Sequence, residues 1–223
     1  MKKVLIIGAG ALGQQITHYI ATDSNDLQVV GYVDDWAEKG TVVEGIEVLG
    51  GSGTDIEELY KAGIFDALII GIGYKYFGTR KALYDRYVGH IPFATFIHST
   101  CYIDPTATIG AGCVILPRCV VDMGSVVEPD VLIYSGSVIG HNTKVGAHSI
   151  VSLSVTLCGF SEIDERCFVG AGATIIDNKH IAAGCLIGAG AVVTHDVPEE
   201  VMVAGVPARV LKTPTTPSKE GQQ

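Results

Sequence analysis

The sequence predicts two folds in one chain: a small α/β domain with a parallel sheet over residues 1–92, and a parallel β-helix over residues 93–212. The first 90 residues alternate buried strand patterns with helical patterns, which implies parallel strands linked by crossover helices. From residue 97 an aliphatic residue recurs at every sixth position, and this period is typical of a β-helix. Residues 213–223 are polar and contain proline, so we predict a disordered tail.

The α/β half contains three predicted strands and three predicted helices. The strands are expected at 3–7, 29–33 and 67–71, and the helices at 11–21, 57–62 and 79–88. Between the first strand and the first helix lies Gly8-Ala-Gly-Ala-Leu-Gly13, and the acidic residues Asp34 and Asp35 follow about 20 residues later. By itself this pattern indicates a dinucleotide site, in which backbone N–H groups hold a pyrophosphate. A tight turn without any ligand is the structural alternative.

The hexads of the second half keep one register from Ile97 to Val193, and a small residue usually follows four positions after each aliphatic. Lys179 is the clear exception at a small position. Three hexads make one triangular coil of 18 residues, so residues 18 apart should stack about 4.8 Å from each other. Gly159 is therefore predicted to stack on His141. Five of the six cysteines occupy small positions, and we interpret them as buried space-fillers.

Composition excludes several classes of protein. The formal net charge is −9, whereas a nucleic-acid surface requires a basic stripe. No apolar run reaches the roughly 18 residues of a membrane helix. The apolar start is short and has no cleavage site, so we interpret it as the first strand of a cytoplasmic protein.

Several segments resemble the hexapeptide-repeat acyltransferases, and more narrowly the sugar acyltransferases of the sialic acid and bacillosamine type. The similarity spans roughly residues 3–211. It is carried by the glycine turn, by Gly71-Ile-Gly-Tyr with Arg80 after it, by Phe93-Ala-Thr-Phe-Ile-His-Ser, by the hexads, and by Val203-Ala-Gly-Val-Pro-Ala-Arg-Val-Leu211. The resemblance implies a left-handed β-helix behind a Rossmann-like domain, a homotrimer, and acetyl-CoA as acyl donor without a metal.

The resemblance also implies that the glycine turn binds the nucleotide of a nucleotide-linked sugar instead of NAD. The family often has His, Gly and a basic residue within this turn, whereas Leu12, Gly13 and Gln14 stand here. The residues expected to bind this substrate are Gly8, Gly10, Leu12, Gly13, Asp34, Asp35, Gly71, Gly73 and Arg80.

His141 corresponds to the general base of these acyltransferases, and imidazole has a pKa that suits this task. Relatives often carry a carboxylate at the next position, where Asn142 can orient the ring but supplies no charge. The N–H of Gly159 is implied to bind the thioester oxygen as charge develops. Each has a plainer alternative: a solvated histidine, a turn asparagine and a corner glycine. His148, stacked between Asp130 and Arg166, is a second candidate base, which we interpret as part of a charged ladder on an outer face.

Pantetheine is implied to lie along Gly170–Ala173 and Gly188–Ala191, in a groove between neighbouring β-helices, with Arg209 near a CoA phosphate. The structural alternative is that Pro207 ends the last coil and that Arg209 is solvated. The residues expected to contact CoA are Gly159, Gly170, Ala171, Gly188, Ala189, Pro207 and Arg209.

The resemblance implies N-acetylation of a nucleotide-linked amino sugar in bacterial surface polysaccharide synthesis. One alternative is O-acylation of a sugar hydroxyl or of a small molecule. A second is a metal enzyme of the carbonic anhydrase type, which needs three converging histidines; His141 and His148 are possible ligands, but His180 and His195 lie far along the helix. A third is a nucleotide-binding scaffold without catalysis.

Overall fold

The computed structural model describes residues 1–23 and 26–212, so the predicted tail at 213–223 lies outside the described residues. The first half is a five-stranded sheet with the strand order β3-β4-β2-β1-β5, in which only the β3–β4 pair is antiparallel. Its strands are β1 (Lys2–Ile7), β2 (Leu27–Val33), β3 (Val42–Val43), β4 (Ile46–Gly50) and β5 (Ala67–Ile70). Its helices are α1 (Ala11–Thr22), α2 (Thr54–Lys61), a 3-10 turn (Tyr74–Tyr76) and α3 (Phe77–Tyr87).

The predicted strands and helices of this half are all present, with shifts of at most three residues at their ends, while the β3–β4 hairpin was not predicted. The hairpin is short, and a turn at Glu44 and Gly45, both with positive φ, closes it. Strand β1 lies between β2 and β5, so the chain reverses its direction of winding between β1 and β5. In open parallel sheets this switch point is where ligands bind, at the carboxyl ends of the strands.

The second half is a left-handed parallel β-helix, as predicted. Seventeen two-residue strands pair with strands 18 residues away, as Val120 pairs with Val138. They are β6 (Phe96–Ile97), β7 (Tyr102–Ile103), β8 (Thr108–Ile109), β9 (Val114–Ile115), β10 (Val120–Val121), β11 (Val126–Val127), β12 (Leu132–Ile133), β13 (Val138–Ile139), β14 (Lys144–Val145), β15 (Ile150–Val151), β16 (Thr156–Leu157), β17 (Glu162–Ile163), β18 (Phe168–Val169), β19 (Thr174–Ile175), β20 (His180–Ile181), β21 (Leu186–Ile187) and β22 (Val192–Val193). A last hairpin, β23 (Met202–Ala204) and β24 (Arg209–Lys212), closes this half.

The interior of the prism confirms the hexad prediction. The aliphatic positions from Ile115 to Val193 form one buried cluster, together with small residues such as Cys113 and Ala173. Most small hydroxyls and thiols share one role, because they donate to a carbonyl 15 residues ahead: Ser125 to Gly140 at 2.7 Å and Cys113 to Glu128 at 3.1 Å. All six cysteines are free, and burial raises the pKa of Cys113 to about 12. The five cysteines at small positions therefore pack as space-fillers, as predicted, whereas Cys158 lies outside these positions.

The prism has three faces, which we name by what they present. The covered face (β6, β9, β12, β15, β18, β21) packs against the α/β half, and Val114, Leu132 and Ile150 are buried there. The apolar face (β7, β10, β13, β16, β19, β22) exposes Tyr102 and Val138. The charged face consists of β8, β11, β14, β17 and β20.

Three edges separate these faces, and each is a column of stacked turns. The glycine edge holds the turns at 117–118, 135–136, 153–154, 171–172 and 189–190. The histidine edge holds those at 123–124, 141–142, 159–160 and 177–178. The interdomain edge holds those at 111–112, 129–130, 147–148, 165–166 and 183–184. None of the helices among the described residues is long and apolar enough to cross a membrane.

Candidate active site

His141 and Gly159 lie directly above one another on the histidine edge. A methyl group built on Gly159 would lie 2.5 Å from Nε2 of His141 and 2.6 Å from its Cε1, so only glycine leaves room for the ring. The two coils are joined here by the N–H of Phe160, which donates to the His141 carbonyl at 3.0 Å. Within the described residues no hydrogen bond uses the N–H of Gly159. The stacking prediction is therefore confirmed. Nε2 of His141 lies beside a backbone segment in which the N–H of Gly159 is available to donate a hydrogen bond.

Two neighbours orient the imidazole of His141. Its Nδ1 lies 3.3 Å from Oδ1 of Asn142, which sits at the turn with φ +55°. The Phe160 ring meets it edge-on, with 5.0 Å between centroids and 88° between planes. An Nδ1–H that donates to the amide oxygen leaves the Nε2 lone pair free to accept a proton. This arrangement can therefore serve as a general base.

The Gly-Ala-Gly-Ala segments lie on the glycine edge, one above the other. A methyl group on Gly170 would meet the N of Ala189 at 2.6 Å, so glycine is required for the close stacking of the coils. The last hairpin continues this column of coils, because the N–H of Gly188 donates to the Val203 carbonyl at 2.8 Å, and the N–H of Ala208 donates to the Val192 carbonyl of the adjacent strand at 2.8 Å. Arg209 is exposed beyond this contact, and its Nη1 donates to the Ala208 carbonyl. These contacts bring together six of the seven residues predicted to contact CoA, namely Gly170, Ala171, Gly188, Ala189, Pro207 and Arg209.

The glycine edge and the histidine edge are different edges of the same prism, and the apolar face lies between them. The strand Val138–Ile139 runs from the turn at 135–136 to the turn at 141–142. Gly159 lies on the histidine edge, apart from the other residues predicted to contact CoA. In a single chain, His141 and the glycine edge therefore lie on different edges of the prism.

In the α/β half, the glycine turn is built by close backbone approach. Gly8 has a φ of +105°, and a methyl group on Gly13 would lie 1.9 Å from the Gly8 carbonyl oxygen. A methyl group on Gly71 would meet the Cα of Gly13 at 2.8 Å. By contrast, Gly10 has φ −72°, is the N-cap of α1, and has open space around its Cβ position. Gly8, Gly13 and Gly71 thus shape the turn, whereas Gly10 borders open space.

A cleft of about 290 Å³ opens at the switch point, between the start of α1 and the loop after β5. Leu12, Gln15, Gly73, Lys75 and Tyr134 are among its lining residues, and Tyr134 comes from the β-helix. No acidic side chain lies in the first turn of α1, and no side chain caps it. The positive end of the helix dipole therefore faces the cleft, and the nearby Asp34 carboxylate accepts the N–H of Ala9 just before the helix. Tyr134, Gln15 and Lys75 were not predicted, because nothing in their local sequence marks them.

Asp34 and Asp35 at the end of β2 hold loops together. Asp34 accepts the N–H of Ala9 at 2.8 Å and those of Trp36 and Ala37 at 2.8 and 3.0 Å. Partial burial favours a higher pKa for Asp34, but these three donors outweigh it and lower the pKa. Asp35 accepts both the N–H and the hydroxyl of Ser52. Each oxygen of Asp35 keeps a lone pair for another donor.

Comparison with known proteins was consistent with this architecture. A sequence model for the PglD N-terminal domain matches residues 3–87. The acetyltransferase domain of PglB from Neisseria gonorrhoeae FA1090 is 25% identical, with 95% of this chain and 100% of that one covered, at a TM-score of 0.80. A histidine-to-asparagine mutant of perosamine N-acetyltransferase from Caulobacter crescentus, in complex with CoA and GDP-perosamine, is 26% identical, with coverages of 95% and 98% and a TM-score of 0.87.

The chain is an acyltransferase that is similar to the hexapeptide-repeat sugar acetyltransferases over 95% of its length. WeeI from Acinetobacter baumannii AYE, at 22% identity and a TM-score of 0.65, shares the fold.

Two residues of this acyltransferase lie elsewhere than predicted. Arg80, expected to bind substrate, is completely buried, and its Nη2 donates to Oδ1 of Asp130 at 2.6 Å. His148, expected on an outer face, is 5% exposed, and its Nδ1 lies 3.0 Å from Oδ2 of Asp130. Both expectations were wrong because the interdomain edge is covered by α3, as the edge contact between the Tyr84 and His148 rings shows. The cluster joins the two halves of the acyltransferase instead of facing solvent.

The other histidines of the acyltransferase do not converge. His141 and His148 lie on different edges, and His180 lies on the charged face, where its Nε2 is 3.0 Å from Oδ2 of Asp164. Within residues 1–23 and 26–212 no cluster of three or more His, Cys, Asp or Glu side chains is arranged to hold a metal ion. The exposed His180–Asp164 pair was missed, since the two residues are 16 positions apart.

Proposed function

We propose that this acyltransferase transfers an acetyl group from acetyl-CoA to the amino group of a nucleotide-linked sugar, as a step in bacterial surface polysaccharide synthesis. The observation that carries the proposal is the orientation of His141, with Nε2 beside Gly159 and Nδ1 beside Asn142. The similar proteins support it: the PglB domain has been solved in complex with acetyl coenzyme A, and the Caulobacter enzyme with CoA and GDP-perosamine.

The transfer needs no covalent enzyme intermediate. The sugar amine attacks the thioester carbonyl carbon while Nε2 of His141 takes the proton of the amine. The N–H of Gly159 donates to the carbonyl oxygen as it becomes negative. The C–S bond then breaks, and the CoA thiolate receives the proton from the imidazolium. Asn142 holds the ring in the tautomer that this sequence of steps requires, although it supplies no negative charge.

We infer that the site lies between subunits of a trimer. The histidine edge and the glycine edge of one chain are separated by the apolar face, so a neighbouring chain is needed to place CoA beside His141. Tyr102 and Val138 on the apolar face, and Met123 and Phe160 on the histidine edge, are exposed large apolar side chains available for this contact. A cyclic trimer gives three equivalent sites. Light scattering should give three times the 23.4 kDa of the chain at micromolar concentration, and a monomer mass would contradict the inference.

The nucleotide of the acceptor is proposed to bind at the glycine turn, with its pyrophosphate at the start of α1. We expect Gly10→Val to lower nucleotide affinity at least tenfold without unfolding the chain. The backbone of Gly10 suits any residue, and its Cβ position has no neighbour within 4 Å, so the added side chain projects into the space that phosphate would occupy. Calorimetric titration with GDP and UDP measures the loss.

Gly78→Val is the matched control for this substitution. Gly78 is equally free of neighbours, but it lies in α3 outside the cleft. The control should keep nucleotide affinity, and both variants should keep CoA affinity because the glycine edge lies in the other half. Unchanged nucleotide affinity in a folded Gly10→Val chain would place the nucleotide elsewhere.

The proposed reaction is tested by acceptor screening. Purified enzyme, acetyl-CoA and a panel of nucleotide-linked sugars are combined, and release of CoA thiol is followed together with product mass. Acetylation of an amino sugar and not of its hydroxyl counterpart supports the proposal. Acetylation of hydroxyl acceptors alone would make the enzyme an O-acyltransferase. Absence of transfer to any acceptor, with CoA and nucleotide both bound, would favour a scaffold.

A further inference from the structure

Trp36 is the single tryptophan of the chain, and it is 89% exposed at the carboxyl end of β2. Tryptophan is the largest side chain and is highly buried on average in folded proteins. Here both faces of the indole are open within the described residues. An exposed aromatic ring beside a ligand-binding edge is well suited to stack on a planar ligand.

The backbone that carries Trp36 is held on two sides. Asp34 accepts the N–H groups of Trp36 and Ala37 with Oδ1, while its Oδ2 accepts the N–H of Ala9 in the glycine turn. Asp35 accepts the N–H of Ser52 at 2.7 Å and its hydroxyl at 2.6 Å, in the loop after β4. A single carboxylate therefore ties Trp36 to the glycine turn, and the next one ties it to the neighbouring strand. The backbone position of Trp36 relative to the glycine turn is thus fixed by the fold.

The same geometry identifies the planar ligand. In parallel α/β sheets, a nucleotide with its phosphates at the first helix places its ribose near the acid at the end of the second strand. The base then lies next to the residues that follow this acid. Here those residues are Asp35, which has lone pairs to accept ribose or base donors, and Trp36.

We propose that Trp36 stacks on the base of the acceptor nucleotide and supplies a large part of its affinity; this rests on the proposed function. Stacking uses the π-face that every base has, so Trp36 favours nucleotides over bare phosphates without choosing between purine and pyrimidine. Choice of base then falls to hydrogen bonds from neighbours such as Asp35. The Trp36 ring is accordingly a positioning group for the acceptor and takes no part in proton transfer.

The single tryptophan makes the test direct, because all indole emission comes from Trp36. Full-length enzyme is titrated with GDP, UDP and inorganic pyrophosphate, with excitation at a wavelength that the nucleotides do not absorb. We expect GDP and UDP to quench the emission and to protect the ring from acrylamide, whereas pyrophosphate, which has no base, does neither. An emission already shielded from acrylamide in the free enzyme would show that another surface covers Trp36, and would overturn the proposal.

Substitutions provide the second part of the test, in which calorimetry measures the affinity for each ligand. Trp36→Ala is expected to weaken GDP and UDP binding about tenfold or more, as loss of one stacked base does. Pyrophosphate and CoA affinities should not change. Trp36→Phe keeps an aromatic face and should stay within about threefold of the wild type by the same reasoning. Val42→Ala is the control, since Val42 is an exposed apolar residue on the same connection.

The outcomes separate this proposal from the proposed function. If Trp36→Ala binds GDP and UDP as the wild type does, the stacking role is wrong while the acetyl transfer stands. If the wild type binds CoA but neither nucleotide at any concentration tested, the nucleotide-linked acceptor is wrong, and the stacking role falls with it.

Discussion

Replacing His141 by alanine is expected to lower kcat by about 10²–10⁴-fold, because general-base assistance contributes about that much. The KM values for CoA and for the acceptor should change little, since the glycine edge and the glycine turn bind these substrates. The substitution removes a ring that packs on Gly159 and Phe160 at the surface, so the fold should be kept. Steady-state kinetics with both substrates measures the effect, after light scattering has confirmed the assembly.

His195→Ala is the matched control for this substitution. His195 lies on the same side of the prism, 54 residues or three coils further on, and it is exposed. The His195→Ala variant should keep kcat within about twofold of the wild-type value. Asn142→Ala should lower kcat mildly, because the His141 ring loses only the amide that orients it. If His141→Ala keeps more than about a tenth of the wild-type kcat, His141 is not the principal base.

Replacing Arg80 by methionine is expected to destabilise the protein by about 3–5 kcal/mol, the usual cost of removing one partner of a buried ion pair. Arg80 and Asp130 are both completely buried, and Nη1 of Arg80 also donates to the carbonyls of Ile70 and Ile72. The substitution leaves the Asp130 carboxylate without its guanidinium partner between the two halves. Urea unfolding, followed by circular dichroism, should show the α/β half melting at a lower concentration.

Two further variants test the cause of this loss. Arg86→Met is the control on the same helix, because Arg86 pairs with Glu57 at 3.4 Å on the surface, where such pairs are worth about 0–1 kcal/mol. Arg80→Met with Asp130→Asn removes both charges, and should recover part of the stability. An equal loss in the double variant would show that the carbonyl contacts, and not the buried charge, make Arg80 important.

The sequence alone was sufficient for the β-helix, since its period is a local property that is repeated in every coil. Ile139 and Leu157 must both face the prism, and His141 must then stack on Gly159, because 18 residues return the chain to the same edge. The glycine turn could also be predicted from the sequence alone. Gly8 and Gly13 are required by backbone contacts that span only a few residues.

Features that depend on how the two halves pack were decided only by the tertiary structure. Arg80 and Asp130 are 50 residues apart, and no sequence pattern indicates that α3 covers the interdomain edge. Arg80 was therefore predicted to contact the substrate, and Asp130 was predicted to lie in a charged ladder on an outer face. Tyr134 joins the switch-point cleft for the same reason. Local repeats dictate which face of a strand is buried against its own coil. Only packing between domains decides which of the remaining charged groups lose their water, and therefore which of them hold the protein together and which stay free to act.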